Sequence, residues 1–361
     1  MRWRPALIIL CLAFIISWLQ PDPVLVSLGP PQTVATNLPQ LGVHTRLTDE
    51  VEPWKIQRTL QMVREMGSPW IVEYFPWAYY QGEDRQIAWE HPDLVVEHAH
   101  AQGLKLIARI GLTPDWARPA DTPLQYLDAT AYADFAAFAA AFAARYQDKV
   151  AAIIIWNEPN LFFEWGYQQT TPADYAALLA ASYPAIKAAN PEVTVLAGAL
   201  APNLEGADSP WGLNEMAYLQ GMYDAGAAAN FDGLAAHTYG FVFPPEMDPA
   251  PDLLNFRRVE LLREVMVANG DAAKKVYITE TGWNDHPRWT RAVRPGQRVT
   301  YTVDAYDYAA ANWPYLEMMA LWMFRTPAPT KSYMDYFTLV TPEFIARPLY
   351  TALQQRTGNG P

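Results

Sequence analysis

Eight short apolar runs, each followed by room for a helix, constrain this chain more than any other feature. They occupy residues 41–46, 70–77, 104–111, 150–157, 193–200, 231–239, 275–282 and 316–324. Their starts lie 29, 34, 46, 43, 38, 44 and 41 residues apart, and each gap holds one helix with its loops. Ala151-Ala152-Ile153-Ile154-Ile155 is apolar without alternation, the mark of a parallel strand buried on both faces. Strands of this kind separated by helices build α/β folds, and eight repeats predict a single (β/α)₈ barrel over residues 41–361. The competing open, doubly wound sheet would normally carry a Gly-rich phosphate loop after its first strand. Neither G-x-G-x-x-G nor a P-loop occurs here.

The stretches between the runs carry helix signals. Thr171 is a candidate cap, Pro172 suits the first helical position, and Asp174 puts negative charge near the helix N-terminus. Tyr175, Leu178, Leu179, Ser182 and Ile186 follow, and Asn190-Pro191 stops the helix. Tyr132, Phe135, Phe138, Phe142 and Tyr146 recur at spacings of three and four, forming one helix face that packs on the sheet.

The ends read differently. Met1 to Pro5 is a basic start, and residues 6–19 are almost wholly apolar. That stretch is shorter than the roughly 20 residues of a membrane span. Residues 1–20 therefore read as a signal peptide or an N-terminal anchor. Either implies export: secreted, periplasmic, or tethered at the outer face of the cytoplasmic membrane through residues 6–19. Residues 21–40, rich in Pro and small polar residues, read as a linker. With 38 acidic against 26 basic residues, a net charge of −12 and no basic cluster, the chain is unsuited to nucleic acid. Cys11 is the one cysteine, so no internal disulfide and no cysteine-cluster zinc site can form. The oligomeric state is not encoded in any of these features.

In a barrel, chemistry sits where the strands end. The fourth run ends Ile155-Trp156-Asn157-Glu158-Pro159-Asn160, and the seventh ends Ile278-Thr279-Glu280-Thr281-Gly282-Trp283. Each sets a glutamate directly after an apolar strand, where burial is costly without a role or a partner. Neither sequence neighbourhood offers a Lys or Arg. Strands four and seven face each other across an eight-stranded mouth, so two carboxyls can meet at one ligand. Paired carboxyls held in different protonation states are what glycosidic bond hydrolysis requires. Asn157 is placed to bond a sugar hydroxyl beside the reacting carbon. Other chemistries find no anchor: there is no H-E-x-x-H, no G-x-S-x-G elbow and no cysteine outside the leader. This hydrolysis needs no cofactor and no metal. A non-catalytic carbohydrate-binding barrel at the cell surface is the alternative; binding alone does not require the carboxylate pair.

The two motifs, Trp156-Asn157-Glu158-Pro159-Asn160-Leu161 and Thr279-Glu280-Thr281-Gly282-Trp283, resemble the acid/base and nucleophile strands of retaining glycoside hydrolases of the large (β/α)₈ clan. The resemblance is nearest to glycoside hydrolase family 39, which includes β-xylosidases, α-iduronidases and bacterial exopolysaccharide endo-glycosidases. It implies a carbohydrate substrate, Glu158 as general acid/base and Glu280 as nucleophile. Ala236-His237-Thr238-Tyr239 resembles the family's His-x-Tyr, which implies Tyr239 bonded to Glu280 and His237 near the sugar. Trp322 resembles the strand-eight tryptophan that floors the sugar site. Arg109 and Trp116 also match family positions, and His44 and Glu73 close strands one and two where they would meet sugar hydroxyls. Two departures stand out. The family's arginine near the end of strand two is missing from 70–77, and only 37 residues follow Phe324 where family 39 β-xylosidases carry a further β-sandwich. The expectation is a barrel-only relative.

Overall fold

The computed structural model describes residues 26–360. The expected signal peptide or anchor at 1–20 lies outside them. No helix among the described residues is long and apolar enough to cross a membrane.

Eight strands close in chain order, every neighbouring pair parallel. They are β1 (Leu41–His44), β2 (Trp70–Pro76), β3 (Lys105–Gly111), β4 (Val150–Ile155), β5 (Thr194–Leu200), β6 (Gly233–Tyr239), β7 (Lys275–Gly282) and β8 (Leu316–Leu321). After each comes a helix: α1 (Pro53–Glu65), α2 (Glu90–Ala101), α3 (Tyr132–Arg145), α4 (Pro172–Ala189), α5 (Glu215–Asp224), α6 (Val259–Ala268), α7 (Pro295–Asn312) and α8 (Pro348–Arg356). The eight apolar runs are thus the eight strands of a (β/α)₈ barrel.

The apolar residues divide into two layers. Trp70, Val72, Ile107, Ala152, Ile154, Ala235, Tyr277 and Met318 are among those filling the barrel interior. A larger layer lies between strands and helices, and it includes Ile153, Ile155 and the aromatic stripe of α3. The stripe's five residues are all buried, as their spacing requires. On α4, Thr171 stands at the cap position, but its hydroxyl makes no cap bond and turns to the Gln169 carbonyl.

Residues 26–40 form no helix or strand, yet they are docked on the barrel. Gln32 N donates to the Ala101 carbonyl at 2.7 Å, Asn37 N donates to the Thr357 carbonyl at 3.0 Å, and Leu38 is buried. This part of the expected linker is a strap bonded to α2 and to the turn after α8.

Candidate active site

Strand alternation decides most of the site. Ile107, Ala235 and Ala320 face the barrel interior. Two residues further toward the mouth, the same face presents Arg109 on β3, His237 on β6 and Trp322 after β8, and four further, Tyr239. His44 follows Gly42 inward in the same way on β1.

Glu280 needs a break in that rule, and Glu158 sits beyond a second irregularity. On β7, Ala236 pairs with Ile278 but His237 pairs with Glu280, so Thr279 is an extra residue in the ladder. Such a bulge re-aims the side chain after it. Without it Glu280 would share the outward face of Ile278. Just past β4, Trp156 and Glu158 both adopt the left-handed region, at φ 71° and 43°. A bulky residue there is uncommon and costs on the order of 1–3 kcal/mol. Its effect is to send the Trp156 indole outward, beside Ile155 and against Phe135, while Glu158 comes over the mouth. Asn160 fixes this turn by bonding both the carbonyl and the N–H of Ala201 and the carbonyl of Leu213.

The carboxyls meet. An oxygen of Glu158, Nδ1 of His237 and an oxygen of Glu280 lie within 4.8 Å of one another. Arg109 Nη1 donates to Glu280 Oε1 at 2.7 Å, and the Tyr239 hydroxyl donates to Glu280 Oε2 at 2.7 Å. Burial pushes the Glu280 carboxyl up. The fields of His237 and Arg109 beside it, together with the Tyr239 bond, outweigh that and hold it down at about 2. Burial raises the Tyr239 phenol well above its usual value, so it remains a donor. His237 Nδ1 lies 2.7 Å from Glu158 Oε1, and its Nε2 is buried without a partner. A cation held by Glu158, His237 and Glu280 would compete with these hydrogen bonds.

Arg109 also donates to Asn157 Oδ1 at 2.7 Å. Sequence reading placed Arg109 among substrate contacts; in the structure it holds the two protein groups that would face the sugar.

Two cavities flank this cluster. One, of about 280 Å³, is aromatic: Trp322, Trp289, Tyr333, Phe241 and Phe337 surround Glu158 and Glu280. The other, of about 240 Å³, is polar and is bounded by His44, Tyr74, Arg109, Asn157 and Glu164. His44 is fully buried with both ring nitrogens unpartnered. Burial, and then Arg109, hold its pKa well below the usual value, so it is neutral.

Two expected contacts hold loops in place instead. Trp116 lines neither cavity; its indole donates to the Gln81 carbonyl at 2.9 Å, and its ring lies between the Trp77 edge and the Arg85 guanidinium. It belongs to the loop scaffold after β3. Glu73 alternates outward with Ile71 and Phe75, which sit in the outer layer. Its carboxylate accepts from Thr45 Oγ1, Leu47 N, Thr48 N, Thr48 Oγ1 and Tyr74 N. It borders the polar cavity, but it pins the loop after β1 and has little capacity left for a sugar.

One site residue escaped sequence reading. Glu164, in the loop after β4, is a third carboxyl. Burial, then the neighbouring Glu158 charge, raise it to about 7, against the opposing effects of Asn157 and Arg109. It follows no apolar strand, so nothing in its sequence position singled it out.

No protein-family model and no curated protein sequence matches the chain. Solved structures do. A family 39 glycoside hydrolase from the gut symbiont Bacteroides cellulosilyticus WH2 superposes with a TM-score of 0.71 at 21% identity, over 91% of this chain and 65% of that one. A monomeric β-xylosidase from Caulobacter crescentus CB15 gives 0.62 at 21%, over 90% and 69%. A GH10 endoxylanase retrieved from a sugarcane soil metagenome gives 0.58 at 12%, over 87% and 96%. This chain thus spans about two thirds of the length of the first two. The likenesses establish the barrel fold.

Proposed function

We propose that this protein is a retaining glycoside hydrolase that cleaves a β-linked polysaccharide or oligosaccharide by double displacement. One observation carries the reading: a Glu158 oxygen and a Glu280 oxygen approach within 4.8 Å across the mouth of the barrel. Retaining enzymes hold their carboxyls about 5–5.5 Å apart, whereas inverting enzymes need about 6.5–9.5 Å to admit a water.

Glu280, kept ionised by Arg109 and Tyr239, attacks the anomeric carbon while Glu158 gives its proton to the leaving oxygen. Glu158 then takes a proton from water, which releases the sugar from Glu280. His237, bonded to Glu158, fixes the orientation of that carboxyl. Trp322 offers an apolar ring to the C–H face of the sugar. The apolar, basic-fronted leader supports delivery outside the cytoplasm, where such glycans occur.

The test is incubation with xylan, β-glucan, mannan and exopolysaccharides, reading product length and the first-formed anomer by NMR. Release of the β-anomer, abolished in Glu280→Gln, is the expected result. Glu158→Ala should lose most activity on ordinary substrates and recover part of it on aryl glycosides with good leaving groups. Binding without turnover across the panel would replace the hydrolase with a carbohydrate-binding barrel.

A further inference from the structure

Glu164 is held in place with more structure than a loop carboxyl requires. The Trp156 indole donates to the Glu164 carbonyl at 2.8 Å. The next residue, Trp165, is buried, meets Trp156 edge to face at 5.6 Å, and donates from its N–H to the Leu161 carbonyl. Anchored on both sides, the Glu164 side chain borders the polar cavity beside Asn157 and Arg109. Among the described residues no ion pair joins it. The nearest guanidinium, Arg109, is engaged by Glu280 and Asn157.

We propose that Glu164 is a substrate-reading residue: with His44, it hydrogen-bonds the hydroxyls of a neutral sugar seated in the polar cavity. The sugar assignment rests on the glycosidase reading above; the choice of a neutral sugar rests on the cavity.

His44 is fully buried with both ring nitrogens unpartnered. Leaving such groups unmet costs about 1–3 kcal/mol, which a ligand would recover. A neutral imidazole offers one donor and one acceptor, and so does a protonated carboxyl. Both match a hydroxyl. A carboxylate-bearing sugar would find no free cation, because Arg46 is paired with Asp49 and Arg109 with Glu280. It would also meet the acidic residues at the cavity's border, Asp49, Glu73 and Glu164.

The proton on Glu164 follows from its surroundings. Glu158 on its own loop and Glu280 on β7 favour the neutral form, while Asn157 and Arg109 on β3 favour the charged one. Tyr74 on β2, its phenol raised by burial, stays uncharged, and His44 on β1 is neutral. With a midpoint at about 7, the donor form is nearly complete at about pH 5.5. It falls to about 3% at about pH 8.5, so affinity should drop roughly 30-fold between the two.

The experiment uses the unmodified protein, with the Arg109–Glu280 pair intact, and isothermal titration calorimetry at both pH values, with each probe in a sulfur-linked form that resists cleavage. The probes are cellotetraose, xylotetraose, mannotetraose and β-1,4-tetramannuronate, the last two differing in oxidation at C6. A neutral tetrasaccharide should bind at about pH 5.5 at least tenfold tighter than tetramannuronate and weaken roughly 30-fold at about pH 8.5. Adding Glu164→Gln should keep the acid-side affinity and abolish the pH dependence. Adding Glu164→Ala instead should weaken binding at both pH values. The proposal is overturned if no neutral probe binds, if tetramannuronate binds as tightly, or if the pH dependence survives in Glu164→Gln. Binding with this signature but no hydrolysis by the unmodified protein would refute the glycosidase alone. Hydrolysis combined with pH-independent binding would refute Glu164 alone.

Discussion

Arg109→Gln is the most searching perturbation of this site. In the structure the guanidinium is 2.7 Å from Glu280 Oε1, and the two side chains are 8% and 10% exposed. Removing an opposite charge at that range raises a carboxyl by roughly 1–3 pKa units. Glu280 would move from about 2 to roughly 4. The sign follows from linkage. A carboxyl depressed below its ordinary 4.5 stabilises the fold above that value and loses the contribution as pH falls toward about 2. Two units amount to about 3 kcal/mol, in line with the roughly 3–5 kcal/mol of breaking a buried pair by removing one partner. Urea denaturation at pH 7 should therefore show Arg109→Gln less stable by about 3 kcal/mol. The same titration arithmetic halves the gap at about pH 3, where Glu280 is still charged in the wild type but protonated in the variant. The acid limb of kcat/KM should rise from about 2 to roughly 4. A stability gap equal at both pH values, or an acid limb that does not move, would refute the claim that Arg109 acts through the charge of Glu280.

Three further outcomes are expected. Tyr239→Phe removes a hydrogen bond to a charged oxygen at 2.7 Å, worth about 1.5–3 kcal/mol; urea stability should fall by about that amount and kcat/KM should fall with it, and an undiminished rate and midpoint would show the bond to be idle. Glu73→Gln should lower stability by about 1–3 kcal/mol, because its amide would confront the Leu47 N–H that now donates to it; glycan binding should be untouched, and weakened binding at full stability would return Glu73 to the sugar site. In Gly240→Ala the new Cβ would stand 1.8 Å from the Trp283 ring, which is buried and donates to the Phe243 carbonyl. Overpacking of this kind costs about 1–3 kcal/mol or more, and an unchanged urea midpoint would mean that the Trp283 position is soft.

The sequence alone determined the repeat. Eight apolar runs with helix-sized gaps admit few folds, because a strand buried on both faces needs helices on one side and a filled barrel on the other. It also determined which strand ends carry Glu158 and Glu280, and period two along β3 and β6 placed Arg109, His237 and Tyr239 on the inner face. Where sequence reading put Glu73 in the site, proximity to a strand end stood in for direction, and Trp116 entered by resemblance to a family position. Alternation turns Glu73 outward onto loop amides, and Trp116 is drawn into an aromatic stack.

The tertiary structure decided the rest. The extra residue at Thr279 reverses what plain alternation predicts for Glu280, and the left-handed backbone at Trp156 turns outward an indole that alternation would place inside, with Glu158 coming back over the mouth. A bulge is a property of two paired strands, so one strand's sequence does not reveal it. Arg109 meets Glu280 across 171 residues of chain, and Glu164 enters the site only because two tryptophans fold its loop back over Asn157. Closing the barrel brings these distant charges together, and their mutual fields set which carboxyls hold a proton.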